Sequence, residues 1–284
     1  MSTQPSTLAD PDASTTPARR PTPRQLARAL ITPDRRRARP ARQMPMPDSL
    51  TEIDVAGTGM LIRQWAPADG ATPTGSSMVL VHGWEGSHAD MAGFVAPLQA
   101  KGFTVLAPDL PAHGGSGGST ATIPQLAMAV AATVAHAARH AGAVQGLIAH
   151  SIGCAATAVA LLDGADVARV ALVSSPVRYL DGARAAAARF AYDAMEWAVF
   201  EAELVALGTE LHAMNLLHQA RELRQPALFI HATDDRVVPI EAGRASAAAW
   251  PGARMIEHDG LGHGRILADP AVIAAAVDFV AGSE

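Results

Sequence analysis

The chain has 284 residues, of which 49% are hydrophobic and 17% charged, a composition typical of a folded globular protein. The net charge is -5, but nine of the 22 basic residues and only three of the 27 acidic ones lie within residues 1–42. The rest of the chain is therefore acidic, which argues against a nucleic-acid-binding core. The single cysteine, Cys154, excludes an intramolecular disulfide. The sequence shows no apolar run of the signal-peptide type, so we expect a cytoplasmic location. It also shows no long uncharged apolar stretch, so we expect no transmembrane segment.

Residues 1–47 are rich in proline, serine, threonine and arginine. Such a segment cannot bury enough apolar surface to offset the entropy lost on ordering it. We therefore predict a disordered arm over residues 1–47, with one short helix at Gln25–Ile31, followed by one domain over residues 48–284. We interpret the arm as a solvated tail; the alternative is that Arg35–Arg37 contacts an anionic partner or a membrane surface.

The pattern changes after the arm. Two segments alternate polar and apolar residues, as half-buried antiparallel strands do, and they are Thr51–Val55 and Met60–Trp65. Short apolar runs then alternate with helix-like segments, which predicts a mostly parallel sheet with helices on both faces. These predicted strands are Met78–His82, Phe103–Ala107, Gln145–His150, Arg169–Ser174, Ala227–His231 and Arg254–Glu257. The predicted helices are Asp90–Lys101, Ile123–Ala141, Ile152–Leu162, Glu241–Trp250 and Pro270–Val280.

One connection is much longer than the others. About fifty residues separate the strand that ends at Ser174 from the strand that begins at Ala227, far more than a simple crossover needs. The segment is alanine-rich and helical in pattern, so we predict a helical cap insertion over residues 176–224. Its large apolar residues either seat the cap on the core or line an acyl-binding pocket. They are Tyr192, Met195, Trp197 and Phe200.

The central motif is Ala149-His150-Ser151-Ile152-Gly153, between a predicted strand and a predicted helix. A serine on such a tight turn holds its hydroxyl above the sheet. The helix that follows begins with free N–H groups and a partial positive charge, which favour a developing oxyanion. The motif resembles the nucleophile elbow of the α/β-hydrolase family, usually written G-x-S-x-G, with Ala149 in place of the first glycine.

Two further motifs resemble loops of the same family. His82-Gly83-Trp84-Glu85-Gly86 follows the third strand, and the resemblance implies that the backbone N–H groups of Trp84 and Ile152 form the oxyanion hole. We interpret the His82 side chain as structural. The segment from Asp109 to Ser116 resembles the family's D-x-P-G-H-G-x-S loop, with Ala112 in place of a glycine, and is expected to be architectural, with a non-catalytic His113.

The last two motifs supply an acid and a base. Asp235 stands four residues before Pro239, the D-x-x-x-P context in which the family places its acid, and Asp234 is the fallback. Gly260-Leu-Gly262-His263-Gly264 resembles the family's G-x-G-H segment. The resemblance therefore implies a triad with Ser151 as nucleophile, His263 as general base and Asp235 as the acid that orients it, in the family's chain order.

These motifs predict an α/β-hydrolase fold and a serine hydrolase that cleaves a carboxylic ester, or a related acyl bond, through an acyl-enzyme. The implied substrate is a small apolar acyl compound, and the implied mechanism needs no metal and no organic cofactor. An acyltransferase, a thioesterase, a peptidase and a cofactor-free haloperoxidase share the triad and stay open, as does a non-catalytic small-molecule-binding protein. Family members that open epoxides or remove halides have an aspartate at the elbow, so serine at position 151 argues against both activities.

His136 and His140 have the spacing of a zinc pair, but the glutamate of a metalloprotease is missing between them.

Overall fold

An eight-stranded sheet forms the centre of the molecule. The structure, a computed structural model, describes residues 20–37, 44–209 and 215–283. The strands are β1 (Ser49–Val55), β2 (Thr58–Trp65), β3 (Ser77–Val81), β4 (Thr104–Pro108), β5 (Val144–His150), β6 (Arg169–Val173), β7 (Ala227–Ala232) and β8 (Arg254–His258). They lie in the order β1-β2-β4-β3-β5-β6-β7-β8. Pairing is antiparallel for β1 with β2 and for β2 with β4 and parallel elsewhere, so the predicted mostly parallel sheet is confirmed.

Helices cover both faces of the sheet. In the described residues they are α1 (Pro23–Leu30), α2 (Ala92–Ala100), α3 (Ile123–His140), α4 (Ile152–Leu162), α5 (Tyr179–Ala188), α6 (Ala194–Ala206), α7 (Leu216–Gln219), α8 (Ile240–Ala249), α9 (Gly262–Arg265) and α10 (Pro270–Ala281). One apolar core joins the sheet to α3, α4 and α7, and a second joins its other face to α2 and α10. No helix in these ranges combines the length and the apolarity that crossing a membrane requires.

The topology brings the predicted motifs to one edge of the sheet. Strands β3, β5 and β7 lie inside it, and almost all of their residues are buried on both faces. Because parallel strands share one direction, the loops that follow them meet at the carboxyl edge. The motifs at 82–86, 149–153, 231–239 and 260–264 each lie at or directly after the carboxyl end of such a strand.

Residues 20–37 are ordered, in contrast to the disordered arm that the composition predicts, and helix α1 lies close to the short helix predicted at Gln25–Ile31. Helix α1 begins at a capping box, in which Thr22 and Gln25 each accept a hydrogen bond from the other's backbone. Leu26 and Ala27 are buried in a third apolar cluster, shared with α5 and α6. The segment is ordered because it buries apolar surface against a distant part of the chain. Residues 1–19 and 38–43 of the predicted arm lie outside the described residues.

The long connection between β6 and β7 contains α5, α6 and α7. Phe200 is fully buried and Tyr192 and Trp197 are partly buried in the cluster shared with α1, whereas Met195 is 78% exposed. These aromatic residues therefore seat the cap on α1, and not on the core of the sheet. Residues 210–214, within the predicted insertion, lie outside the described ranges.

A two-residue turn, Ala56-Gly57, joins β1 to β2, since Val55 pairs with Thr58. Both turn residues have positive φ, 51° and 81°, as a type I′ hairpin turn requires. Glycine adopts this backbone without strain, but an exposed alanine is destabilised in it. Ala56 is therefore a residue that local structure disfavours.

We expect Ala56→Asn to stabilise the protein by about 1 kcal/mol, because asparagine tolerates the left-handed region and favours this turn. The midpoint of urea unfolding measures the effect. Ala66→Asn, at an exposed loop position whose φ is not positive, is the matched control and should give no gain. An equal gain at both positions would contradict the explanation.

Candidate active site

Ser151 forms a strained turn between β5 and α4. Its backbone has φ 53° and ψ −124°, a conformation that costs energy for any residue except glycine. Its N–H donates to the carbonyl of Val173, at the end of β6, over 2.9 Å. Only 9% of the residue is exposed. The turn therefore fixes the hydroxyl at the carboxyl edge of the sheet.

Two glycines provide the room that this turn needs. A Cβ at Gly153 would lie 2.6 Å from the carbonyl oxygen of His82, and one at Gly83 would lie 2.8 Å from Nδ1 of His150 and 3.1 Å from Cβ of Ser151. Gly153 therefore excludes a side chain because the backbone of His82 lies too close, and Gly83 does so because the side chains of His150 and Ser151 lie too close. Ala149, where the family motif has its first glycine, places its methyl group in the buried core without conflict.

The imidazole of His263 lies between the serine and a carboxylate. Its Nε2 is 3.0 Å from Oγ of Ser151, and its Nδ1 is 2.8 Å from Oδ2 of Asp235. In a neutral ring, Nδ1–H donates to the carboxylate and Nε2 accepts from the hydroxyl. The structure thus brings all three predicted catalytic residues into one hydrogen-bonded chain.

Asp235 is held as a buried carboxylate. Its Oδ1 accepts hydrogen bonds from the N–H groups of Val237 and Val238, at 2.8 and 2.9 Å. Burial alone would raise the pKa of Asp235, but the hydrogen bonds from His263 and the two backbone amides outweigh burial and lower it to about 2. The group is therefore ionised at neutral pH and its charge faces the imidazole.

Asp234, the fallback for the acid, has a different place. Its Oδ1 accepts the N–H of Gly262 at 2.8 Å, and Arg265 lies 3.8 Å from its other oxygen. These contacts attach Asp234 to the loop that carries His263. The geometry therefore favours Asp235 as the partner of the imidazole and gives Asp234 a supporting position.

His150 supports the same loop, a role that the sequence motifs do not predict. Its Nε2 is 2.9 Å from the backbone carbonyl of His263, and the two rings lie 4.8 Å apart. The residue before Ser151 thus holds the backbone of His263, the predicted general base. A histidine at the variable position of the elbow motif is the only signal in the sequence.

The two predicted oxyanion-hole donors flank the serine. Ile152 is the first residue of α4, where helical geometry leaves the N–H without an intrahelical acceptor. Trp84 follows Gly83, whose backbone approaches the elbow closely.

His82 is buried between loops: Nδ1 donates to the carbonyl of Gly83 at 2.7 Å, and Nε2 accepts the N–H of Leu110 at 2.9 Å. Burial lowers the pKa of His82 and keeps it neutral in this structural position.

Comparison with known proteins adds the decisive observation. A profile of the α/β hydrolase family matches residues 78–276, about 70% of the chain, and includes all five motifs. The chain belongs to the α/β-hydrolase family.

Solved structures of this family are similar to the chain throughout its domain. An esterase from Pyrococcus furiosus has a TM-score of 0.62 and 21% identity, over 82% of this chain and 91% of that one. An esterase from a Rhodococcus species has a TM-score of 0.59 and 23% identity, over 82% and 98%. A Butyrivibrio proteoclasticus protein with bound ferulic acid has a TM-score of 0.62 and 17% identity, over 81% and 99%. At these identities the likeness shows the α/β-hydrolase fold. No curated protein matches the chain.

The Asp109 loop of this hydrolase-family chain is built around a second buried carboxylate. Asp109 accepts hydrogen bonds from Nη1 of Arg63 at 2.9 Å, from Nδ1 of His88 at 2.8 Å and from the N–H of Gly115 at 2.9 Å. Burial would raise its pKa, but the bonds from His88 and Gly115 hold that pKa well below the ordinary value. The motif predicts an architectural loop but carries no signal that Arg63 and His88 are the partners of Asp109.

The histidine pair on α3 lies outside this site. The rings of His136 and His140 are 4.6 Å apart. Within the described ranges, no group of three or more histidine, cysteine, aspartate or glutamate side chains is arranged to hold a metal ion. The pair therefore lacks a third protein ligand among these residues.

The lowered pKa of Asp235 predicts a pH dependence of stability. Its carboxylate favours folding above the pKa of the unfolded chain, and that contribution is lost as the pH falls from about 4 to about 2. We therefore expect the difference in urea midpoint between wild type and Asp235→Asn to shrink as the pH is lowered below about 4. Asp69→Asn, in an exposed loop, is the control. A difference that stays constant from pH 7 to pH 3 would contradict the assignment.

Proposed function

We propose that this chain is a serine hydrolase that cleaves a carboxylic ester or a closely related acyl bond. The observation that carries the proposal is the hydrogen-bonded chain from Ser151 through His263 to Asp235, with distances of 3.0 and 2.8 Å. A nucleophile, a base within hydrogen-bond reach and a group that orients the base are the parts that acyl transfer needs.

The first half of the reaction forms an acyl-enzyme. Nε2 of His263 removes the proton from Ser151, and Oγ attacks the carbonyl carbon of the substrate. The N–H groups of Trp84 and Ile152 donate to the oxygen that becomes negative, and the N-terminus of α4 adds a favourable dipole. Nδ1–H keeps its bond to Asp235, which stabilises the imidazolium.

The first half ends when His263 gives its proton to the leaving alcohol and the tetrahedral intermediate collapses to the ester of Ser151. The second half releases the product acid. Water then takes the place of the alcohol, gives a proton to His263 and attacks the same carbon. The second tetrahedral intermediate collapses when the bond from that carbon to Oγ of Ser151 breaks, and His263 returns the proton to Oγ as the product acid leaves. Every proton in this scheme passes between a named donor and a named acceptor, so it requires no metal and no organic cofactor.

An ester of an apolar acyl group is the substrate class we propose. The side chains of Trp84 and Ile152 are partly buried apolar groups packed against the core beside the serine, and they favour an apolar acyl group there. Two of the similar solved structures are described as esterases, which supports an ester over other acyl compounds.

Replacing Ser151 by alanine should abolish turnover of a p-nitrophenyl ester. Because the triad acts as a unit, kcat should fall on the order of 10⁶-fold. Ser49→Ala, at an exposed position at the start of β1, is the matched control and should keep the wild-type rate. A rate unchanged by Ser151→Ala would refute the assignment.

Labelling with a fluorophosphonate, followed by mass spectrometry, should locate the adduct on Ser151. A chain that the fluorophosphonate never labels would instead be a non-catalytic binding member of the fold.

Two neighbouring aspartates test the identity of the acid. Asp235→Asn should lower kcat about 10⁴-fold, because an amide stabilises the wrong tautomer of His263. Asp234→Asn removes a charge from the next residue and keeps an acceptor for the N–H of Gly262, so it should cost far less. Steady-state rates on the same ester decide between them. Greater loss from Asp234→Asn would show that the acid stands one position earlier.

A further inference from the structure

Residues 20–37, here called the strap, attach at one end to the cap. Leu26 and Ala27 of α1 are buried in the cluster that contains Phe200 and Leu204 of α6. Arg20 adds a two-pronged pair with Glu196, with both distances 2.7 Å. The apolar contact anchors this end, since an exposed ion pair contributes little by itself.

The other end of the strap is attached to residues 109–118, here called the Asp109 loop. The guanidinium of Arg35 lies at the surface and donates to four backbone carbonyls of this loop, at 2.7–3.2 Å. These carbonyls belong to Ala112, Gly114, Ser116 and Gly118. Three of the four residues have positive φ, and this unusual backbone course accompanies the convergence of their carbonyls on one cation. The planar five-donor fork of arginine suits such a set better than the single ammonium of lysine.

The residue before Arg35 attaches the strap to residues 82–86, here called the oxyanion loop. The N–H of Asp34 donates to Oε1 of Glu85 at 3.2 Å. Glu85 has φ 57°, which a non-glycine residue keeps only when its surroundings hold it. Glu85 follows Trp84 directly, so this contact acts next to the proposed oxyanion donor.

The two loops also touch each other behind that donor. The ring of His113, on the Asp109 loop, meets the ring of Trp84 edge to face at 5.1 Å, and His113 is almost fully buried. Arg35 therefore fixes the backbone on both sides of His113, and His113 packs against Trp84. Asp34 and Arg35 hold the oxyanion loop from two directions.

We infer that Arg35 is a positioning residue for the oxyanion hole, and that the strap couples the cap to it. This inference rests on the proposed function. An oxyanion donor stabilises the transition state only when it is held within about 0.5 Å of its place. Loosening the two loops should therefore weaken binding of the transition state and leave binding of the ground-state ester almost unchanged.

The test compares Arg35→Ala with Arg36→Ala. Arg36 is the adjacent exposed arginine, and its side chain pairs with that of Asp34. We expect Arg35→Ala to lower kcat about 10- to 100-fold with KM changed less than about threefold, a smaller loss than deletion of a donor. Its affinity for a trifluoromethyl ketone, which forms a tetrahedral adduct with the serine, should fall by the same factor. Arg36→Ala should match the wild type in all three quantities.

Several outcomes would overturn the inference. A wild-type kcat in Arg35→Ala would do so, and so would a lower kcat with unchanged ketone affinity. If Arg35→Ala yields no folded protein, Glu85→Ala against Glu85→Gln decides, because glutamine keeps an oxygen that accepts the N–H of Asp34. Loss of kcat in the alanine variant alone supports the inference, and wild-type kcat in both overturns it.

Failure of the proposed function would be recognised separately. A wild-type chain without Ser151-dependent turnover refutes the hydrolase assignment whatever Arg35 does. The strap is then tested by amide hydrogen exchange in Arg35→Ala and Arg36→Ala. Faster exchange at residues 83–86 and 112–118 in the first variant alone supports positioning of the loops, and equal exchange overturns it.

Discussion

The tight turn at Ser151 is the constraint on which the rest of the site depends. Its left-handed backbone raises the hydroxyl above the end of β5, and such a strained conformation persists only where the surrounding structure holds it. Gly83 and Gly153 allow the neighbouring backbones to close around it. The same turn begins α4, so one local conformation orients the proposed nucleophile and places a helix N-terminus beside it.

Buried charge at this edge of the sheet follows one rule. Asp109 and Asp235 are both buried, and each is surrounded by hydrogen-bond donors that include backbone amides and a histidine. A buried carboxylate is costly unless its oxygens are bonded in this way. Asp109 stabilises the fold of a loop, whereas Asp235 faces a histidine that faces a serine. Identical residue chemistry thus serves architecture in one loop and a proposed reaction in another.

Sequence alone predicted the parts whose signals are local. The alternating apolar runs gave all eight strands to within two residues at each end, and the spacing of motifs around Ser151, Asp235 and His263 predicted which loops meet. Contacts between distant segments carry no such signal. Arg63 and Arg35 look like ordinary surface arginines until the fold brings Asp109 and the 112–118 carbonyls to them. The short helix predicted at Gln25–Ile31 lies close to α1, but the proline- and arginine-rich composition carried no signal that α1 would be buried against α5 and α6.

The partnership of α1 with the cap has a consequence for the order of events during biosynthesis. Arg20 and Phe190, which touch in the finished protein, are 170 residues apart in the chain. Helix α1 is therefore synthesised long before α6, and Leu26 cannot be buried against Phe200 and Leu204 until α6 has been made. Closing so long a loop is an entropic and kinetic burden, and it makes the docking of the strap a late step in maturation. The cap, although made later, completes its apolar cluster only when this early segment returns to it.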